Sequence, residues 1–125
     1  ATLAAAKSGW KKRVVAVFKP PRYSRTEALF EEFQTAFYQA DLLLVADVYA
    51  AGEEPIEGAT GDALAKGIIE HGHKETYYRA TFEELTDLLA DLVEPGDLVV
   101  TLGAGNINQV CGLLADKLRS AEVAG

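Results

Sequence analysis

Apolar runs with strand character alternate along this chain with segments whose apolar residues recur at helical spacing. Arg13–Lys19, Leu42–Val48 and Asp97–Leu102 are nearly continuous in Val, Leu and Ala, as expected of strands buried on both faces of a sheet. Glu75–Arg79 is a weaker fourth run, suited to a place nearer an edge. Between the first two strands, Leu29, Phe33 and Phe37 fall at i, i+4 and i+8, and Phe30, Ala36 and Ala40 widen the stripe, which predicts one sheet-packing helix. Thr81 and Glu84 form a capping box ahead of Phe82, Leu85, Leu88, Leu89 and Leu92, and Pro95-Gly96 closes that helix in a turn. Ile107, Val110, Leu114 and Leu118 mark a last helix against the sheet. At the front, alanine-rich Thr2–Ser8 is helical in propensity, with Gly9 as C-cap before Trp10. That helix has no visible start, so the chain is expected to be a piece of something longer. The alternation predicts a three-layer α/β fold, a mostly parallel, Rossmann-like sheet with helices on both faces. Arg13–Lys19 should be central, with Leu42–Val48 on one side and Asp97–Leu102 on the other.

Ligands of open parallel sheets gather beyond the carboxyl ends of the strands, so the loops after Lys19, Val48 and Leu102 carry the candidate chemistry. In the first, Pro20-Pro21-Arg22-Tyr23-Ser24-Arg25-Thr26, Ser24 and Glu27 have capping-box spacing, making Ser24 the expected N-cap and Arg25 the first helical residue. Cations at a helix start oppose its dipole by about 0.3–1 kcal/mol each. Their presence makes sense if a carboxylate or phosphate binds between the guanidinium forks and the free N–H groups. The alternative is that both arginines simply pair with surface acids. The second loop, Asp47 to Ile56, holds Tyr49, Glu53 and Glu54; loop acids of this kind are commonly solvated. In the third, Gly103-Ala104-Gly105 permits close backbone approach and Asn106 can cap the last helix. A bare G-A-G lacks the third glycine of a dinucleotide fingerprint and the lysine of a P-loop, so alone it reads as a tight turn.

Composition narrows the classes. With 125 residues, 49% hydrophobic and 25% charged, the chain suits one globular domain spanning residues 1–125. A net charge of −7 argues against nucleic acid as a partner. Lys11-Lys12-Arg13 reads as a solvated approach to the first strand. No apolar stretch is long enough for a membrane span and no signal peptide opens the chain, so a cytoplasmic location is expected. Cys111 reads as a small core residue. His71 and His73 lack zinc-motif spacing and read as a solvated helix end, leaving no metal site. Neither a nucleophile elbow nor a Ser-His-Asp set is present.

Taken together, VFKPPRYSRT, DVYAAGEEPI and TLGAGNI, in this order and at these intervals, resemble the C-terminal domain of the Mur ligase family, in its branch that adds L-alanine to UDP-N-acetylmuramate. The resemblance covers essentially the whole chain. It implies a three-domain, peptidoglycan-building ligase that uses ATP and magnesium to make an acyl phosphate, which the amine of alanine attacks. An N-terminal domain would bind the UDP-sugar, a central domain the ATP, and the present domain would close over both as a lid. In that family the helix containing ATLAAAKSGW follows a His-Pro-Thr-Glu loop that this chain does not contain. The implied substrate-binding residues are Arg22, Arg25, Tyr23, Tyr49 and Glu53; Ser24, Gly103, Ala104, Gly105 and Asn106 would lie near the nucleotide. No catalytic set is complete in the chain, so alone it is expected to bind neither ATP nor alanine tightly and to turn over neither. The family usually shows Gln-Pro-His-Arg where this chain has Lys19-Pro20-Pro21-Arg22, so Pro21 replaces a histidine and Lys19 supplies a nearby cation. A phosphorelay receiver domain, with acids ending its first strand, fits poorly against Phe18-Lys19-Pro20. A stand-alone, non-catalytic anion- or nucleotide-binding module is the remaining alternative.

Overall fold

A computed structural model describes residues 2–9, 11–73, 75–103 and 105–124, which leaves Trp10 and Ala104 outside the described residues. The elements in order are α1 (Thr2–Gly9), β1 (Val14–Lys19), α2 (Tyr23–Ala28), α3 (Phe30–Gln34), β2 (Leu42–Val45), α4 (Gly61–Glu70), β3 (Thr76–Tyr78), α5 (Phe82–Leu92), β4 (Leu98–Gly103) and α6 (Gln109–Ala124). The strands form one sheet in the order β3-β2-β1-β4, and every pair is parallel. The expected three-layer α/β architecture and the central place of β1 are therefore both observed. Side chains alternate across the sheet as the pleat requires. Val14, Ala16, Phe18, Leu43 and Val45 meet Phe37, Leu64 and Ile68 on one face, while Val15, Val17 and Leu44 meet Leu85, Leu89, Val110 and Leu114 on the other.

Several expectations are corrected. The single helix expected from Arg25 through the stripe ending at Ala40 is interrupted at Leu29 (φ −105°, ψ 10°), which separates the short α2 and α3. Beyond α3 the chain winds tightly, with Ala36 N–H bonding Phe33 O at 3.3 Å and Ala40 N–H bonding Phe37 O at 3.0 Å. Tight winding keeps both Phe33 and Phe37 on Phe18, with ring centroids 5.1 and 4.8 Å from it. Pairing in β2 stops at Val45 rather than Val48, and α4 begins on the backbone just beyond: a Cβ on Gly61 would lie 2.4 Å from Ala46 O. The residues of β4 are half-buried, not buried on both faces, because β4 is an edge strand. Cys111 is exposed, since α6 turns Val110 and Leu114 inward and leaves the next residue after Val110 outside. His73 is buried: its Nε2 lies 2.7 Å from Ala40 O and its Nδ1 3.0 Å from Thr76 Oγ1, while His71 stays exposed at the end of α4.

The end of the sheet opposite the candidate loops is tied by charge. Arg13 donates from Nε to Asp97 Oδ1 at 3.0 Å and from Nη2 to Asp97 Oδ2 at 2.6 Å, and Nη2 also reaches Leu92 O, at the end of α5, at 2.9 Å. Far from being a free member of a basic cluster, Arg13 joins β1, α5 and the start of β4. Asp41 accepts from Lys7 Nζ at 2.6 Å and from Val14 N–H at 2.7 Å, fixing the approach to β2. The Arg13 guanidinium holds the Asp97 carboxyl below its usual range despite burial. At Asp41 burial pushes upward, and the bonds from Lys7 and Val14 together outweigh it and hold the carboxyl low.

A folded-state carboxyl lower than the unfolded value of about 3.9 contributes stability that is complete above roughly pH 4 and is lost as pH falls through the folded value. Asp97→Asn should therefore lower stability at neutral pH by about 1–3 kcal/mol and flatten its decline below pH 4. Urea unfolding at pH 7, 4 and 3 checks both; a variant as acid-sensitive as the parent would clear Asp97 of the role.

Candidate ligand site at the carboxyl edge

β1 and β4 end in register, with Lys19 opposite Gly103. Gly103 has φ +111°, and a Cβ there would sit 2.1 Å from Lys19 O, so only glycine allows the third loop to leave β4 this close to the first. The second loop is bonded to the first by Tyr49 N–H, which donates to Pro20 O at 3.1 Å. It also touches the third, where a Cβ on Gly105 would lie 3.7 Å from Tyr49 Cδ1. All three loops named from the sequence share one edge.

The start of α2 differs from expectation. Its N-cap is Arg22, not Ser24, and no side chain caps it. Ser24 lies inside the first turn, and a distant carboxylate takes both of its donors: N–H to Glu53 Oε1 at 3.0 Å and Oγ to Glu53 Oε2 at 2.6 Å. Both donors end on one ionised acceptor, whose negative charge is favourable beside a helix start. The Ser24 bonds, hydroxyl first, hold the Glu53 carboxyl below its usual range. Glu53 is delivered by a tight turn in which its N–H bonds Ala50 O at 2.9 Å, with Ala51 at φ +52° and Gly52 at φ +84°. Positive φ at both central positions is the primed turn geometry, unfavourable for Ala51. Arg22 Nε lies 3.8 Å from Glu53 Oε2.

Beside this junction a cavity of about 290 Å³ is lined by Pro21, Arg22, Arg25, Tyr49 and Ala51. Among the described residues Arg25 has no ion-pair partner, and Tyr49 is exposed. Tyr23 is buried and does not line the cavity. Gly105 and Asn106 are exposed in the turn before α6, which starts later than expected; Asn106 serves it through a backbone carbonyl that accepts from Gln109 N–H at 2.9 Å.

A second group at the same edge was not legible as a cluster in the sequence. Lys19 Nζ lies 5.5 Å from the centre of the Phe82 ring. Burial lowers the Lys19 ammonium, with Asp47 opposing, and burial followed by the Asp47 charge raises the Tyr78 phenol. Lys19, Asp47 and Tyr78 each stand at or just past a strand's carboxyl end, the positional signal that would have found them. Among the described residues no three His, Cys, Asp or Glu side chains converge on a possible metal site.

The class is thus an open parallel α/β domain whose carboxyl-edge loops build an arginine-lined cavity, the candidate ligand site. A profile described as the Mur ligase, glutamate ligase domain matches residues 1–105. Proteins named UDP-N-acetylmuramate--L-alanine ligase from Syntrophotalea carbinolica and Geotalea uraniireducens are each 56% identical, over 121 and 119 residues, or 97% and 95% of this chain. The namesake from Geobacter sulfurreducens is 50% identical over 125 residues. The chain belongs to the Mur ligase family, and it spans about a quarter of the length of these relatives.

Gly103→Ala should cost at least about 1–3 kcal/mol, the penalty of the backbone conformation alone, and weaken the β1–β4 pairing where Lys19 faces the mutated residue. Amide exchange at the ends of β1 and β4 reads it; an unchanged pattern would deny the close approach its importance. Ala51→Gly should act oppositely, raising stability by about 0.5–1 kcal/mol through relief of the positive φ. Thermal unfolding measures that gain, and a loss of stability would argue against the turn.

Proposed function

We propose that this chain is the C-terminal lid domain of an ATP-dependent ligase that joins L-alanine to UDP-N-acetylmuramate, a step of peptidoglycan synthesis. The observation that carries the reading is the cavity lined by Arg22, Arg25 and Tyr49 on a sheet edge built from the three motif loops. Two guanidiniums beside an exposed phenol suit a carboxylate or an acyl phosphate, which arginine binds bidentately. On the family resemblance, Gly103, Ala104, Gly105, Asn106 and Ser24 would lie towards the nucleotide. The N-terminal and central domains of the same enzyme are the proposed partners, and a cytoplasmic location belongs to the same reading. No helix among the described residues is long and apolar enough to cross a membrane.

In this scheme the domain binds and orients, and the transfer of phosphate takes place against the central domain. Arg22 and Arg25 hold the amino acid's carboxylate so that its amine faces the acyl carbon, and closure excludes water that would hydrolyse the acyl phosphate. Magnesium is implied by the family; the described side chains offer no converging ligand set for it, so no step is assigned to it here.

Arg25→Ala should fold like the parent and lower kcat/KM for alanine in the three-domain ligase by an amount equivalent to about 1.5–3 kcal/mol, the worth of a lost charge-assisted bond. Calorimetry should find alanine affinity weak for the 125-residue chain and stronger for the ligase loaded with a non-hydrolysable nucleotide and UDP-sugar. Equal affinity in both would overturn the lid.

A further inference from the structure

We propose that Glu53 is a positioning residue rather than a ligand contact: its carboxylate ties the loop after β2 to the first turn of α2 and thereby sets Arg22 and Tyr49 at the cavity. This rests on the reading of that cavity as the amino-acid site. Both oxygens of Glu53 are engaged by Ser24, at 3.0 Å to the N–H and 2.6 Å to the hydroxyl, and the side chain is not among the cavity's lining groups. A carboxylate turned into the cavity would repel the carboxylate to be bound; turned onto Ser24 it leaves the cavity to the cations. Arg22 Nε, 3.8 Å from Glu53, is beyond hydrogen-bond range but close enough for the charge to orient it, which leaves the terminal nitrogens for a ligand. The unfavourable turn at Ala51 persists because both ends are pinned, one by Tyr49 N–H on Pro20 O and the other by Glu53 on Ser24. The bonds from Ser24 also favour the ionised carboxylate, holding it below its usual range.

Steady-state kinetics in the three-domain ligase separate the possibilities, using Glu53→Gln, Ser24→Ala, their double variant and Arg22→Ala. Positioning predicts that Glu53→Gln and Ser24→Ala each raise the alanine KM about tenfold with kcat nearly unchanged. The double variant should fall well short of the product of the two single effects, because both loosen the same tie. Ser24→Ala deletes only an exposed hydroxyl and carries the test should Glu53→Gln fold poorly, with thermal midpoints read in parallel. Effects that multiply in the double variant would overturn the proposal by showing that Glu53 touches the ligand itself. Unchanged KM in both singles, with Arg22→Ala still raising it, would also overturn positioning and keep the amino-acid site. Unchanged KM in all of them, Arg22→Ala included, would instead remove the site on which the proposal stands.

Discussion

The loop edge depends on the register between β1 and β4. Because Lys19 faces Gly103 at the last pair of the ladder, both strands stop at one level and their loops leave together. The contact leaves no room for a side chain, with Lys19 O where a Cβ on Gly103 would go. A shift of one residue along β1 would also carry Val15 and Val17 to the opposite face of the sheet, so burial of the strand enforces the register from both sides. Placement of the arginine loop beside the glycine loop is thus a consequence of core packing. The candidate site inherits its geometry from strand residues that do not line its cavity.

Two segments with the same local pattern show where sequence reasoning reaches its limit. Thr81-x-x-Glu84 forms the expected capping box, with Glu84 N–H bonding Thr81 Oγ1 at 3.1 Å and the hydroxyl meeting Glu84 Oε1 at 3.0 Å. Ser24-x-x-Glu27 has the same spacing and does not, because Glu53, remote in sequence, takes the donors of Ser24. A local cap is worth about 1 kcal/mol, so an ionised acceptor held at the right place by a tight turn is enough to displace it. Nothing in the spacing of Ser24 and Glu27 reports the arrival of a third group. The strand order, the edge position of β3 and the sharing of one edge by three loops were legible because they follow from apolar runs and their sequence. What escaped depended on through-space partners: His73 turned inward onto Ala40 and Thr76, Tyr23 folded under the edge, and Lys19 brought beside Phe82 and Asp47. Cys111 was misread for a simpler reason, since one step of about 100° along α6 separates the buried Val110 from the exposed face.

The stability of the domain and the chemistry of its site sit at opposite ends of the sheet. At the amino ends of the strands Arg13 meets Asp97 and Lys7 meets Asp41. At the carboxyl ends the cavity instead collects cations from a chain whose net charge is −7, and Arg25 is left without an ion-pair partner among the described residues. A domain free to minimise its energy would place acids near the start of α2. It does place one, Glu53, yet holds it against Ser24 and not against Arg25.

That arrangement balances preorganisation against affinity. The Glu53 charge partly offsets the field of Arg22, so on the proposed reading an amino-acid carboxylate would meet a site that is well oriented but only moderately positive. In the open domain, water at the rim screens what remains, and charge-assisted bonds there are worth little. Bringing a second domain over the cavity removes water and lowers the effective dielectric, which strengthens the same bonds without moving the groups that make them. Under the proposed lid, ligand binding and closure would favour each other, since the ligand would gain more from the closed state than from the open one. Closure over the cavity would also shield the proposed acyl phosphate, because the arginines would grip hardest when water is least able to attack. An open, half-neutralised edge would suit that proposed division of labour, with the bonds between Glu53 and Ser24 tying the loop after β2 to α2 while the edge is open.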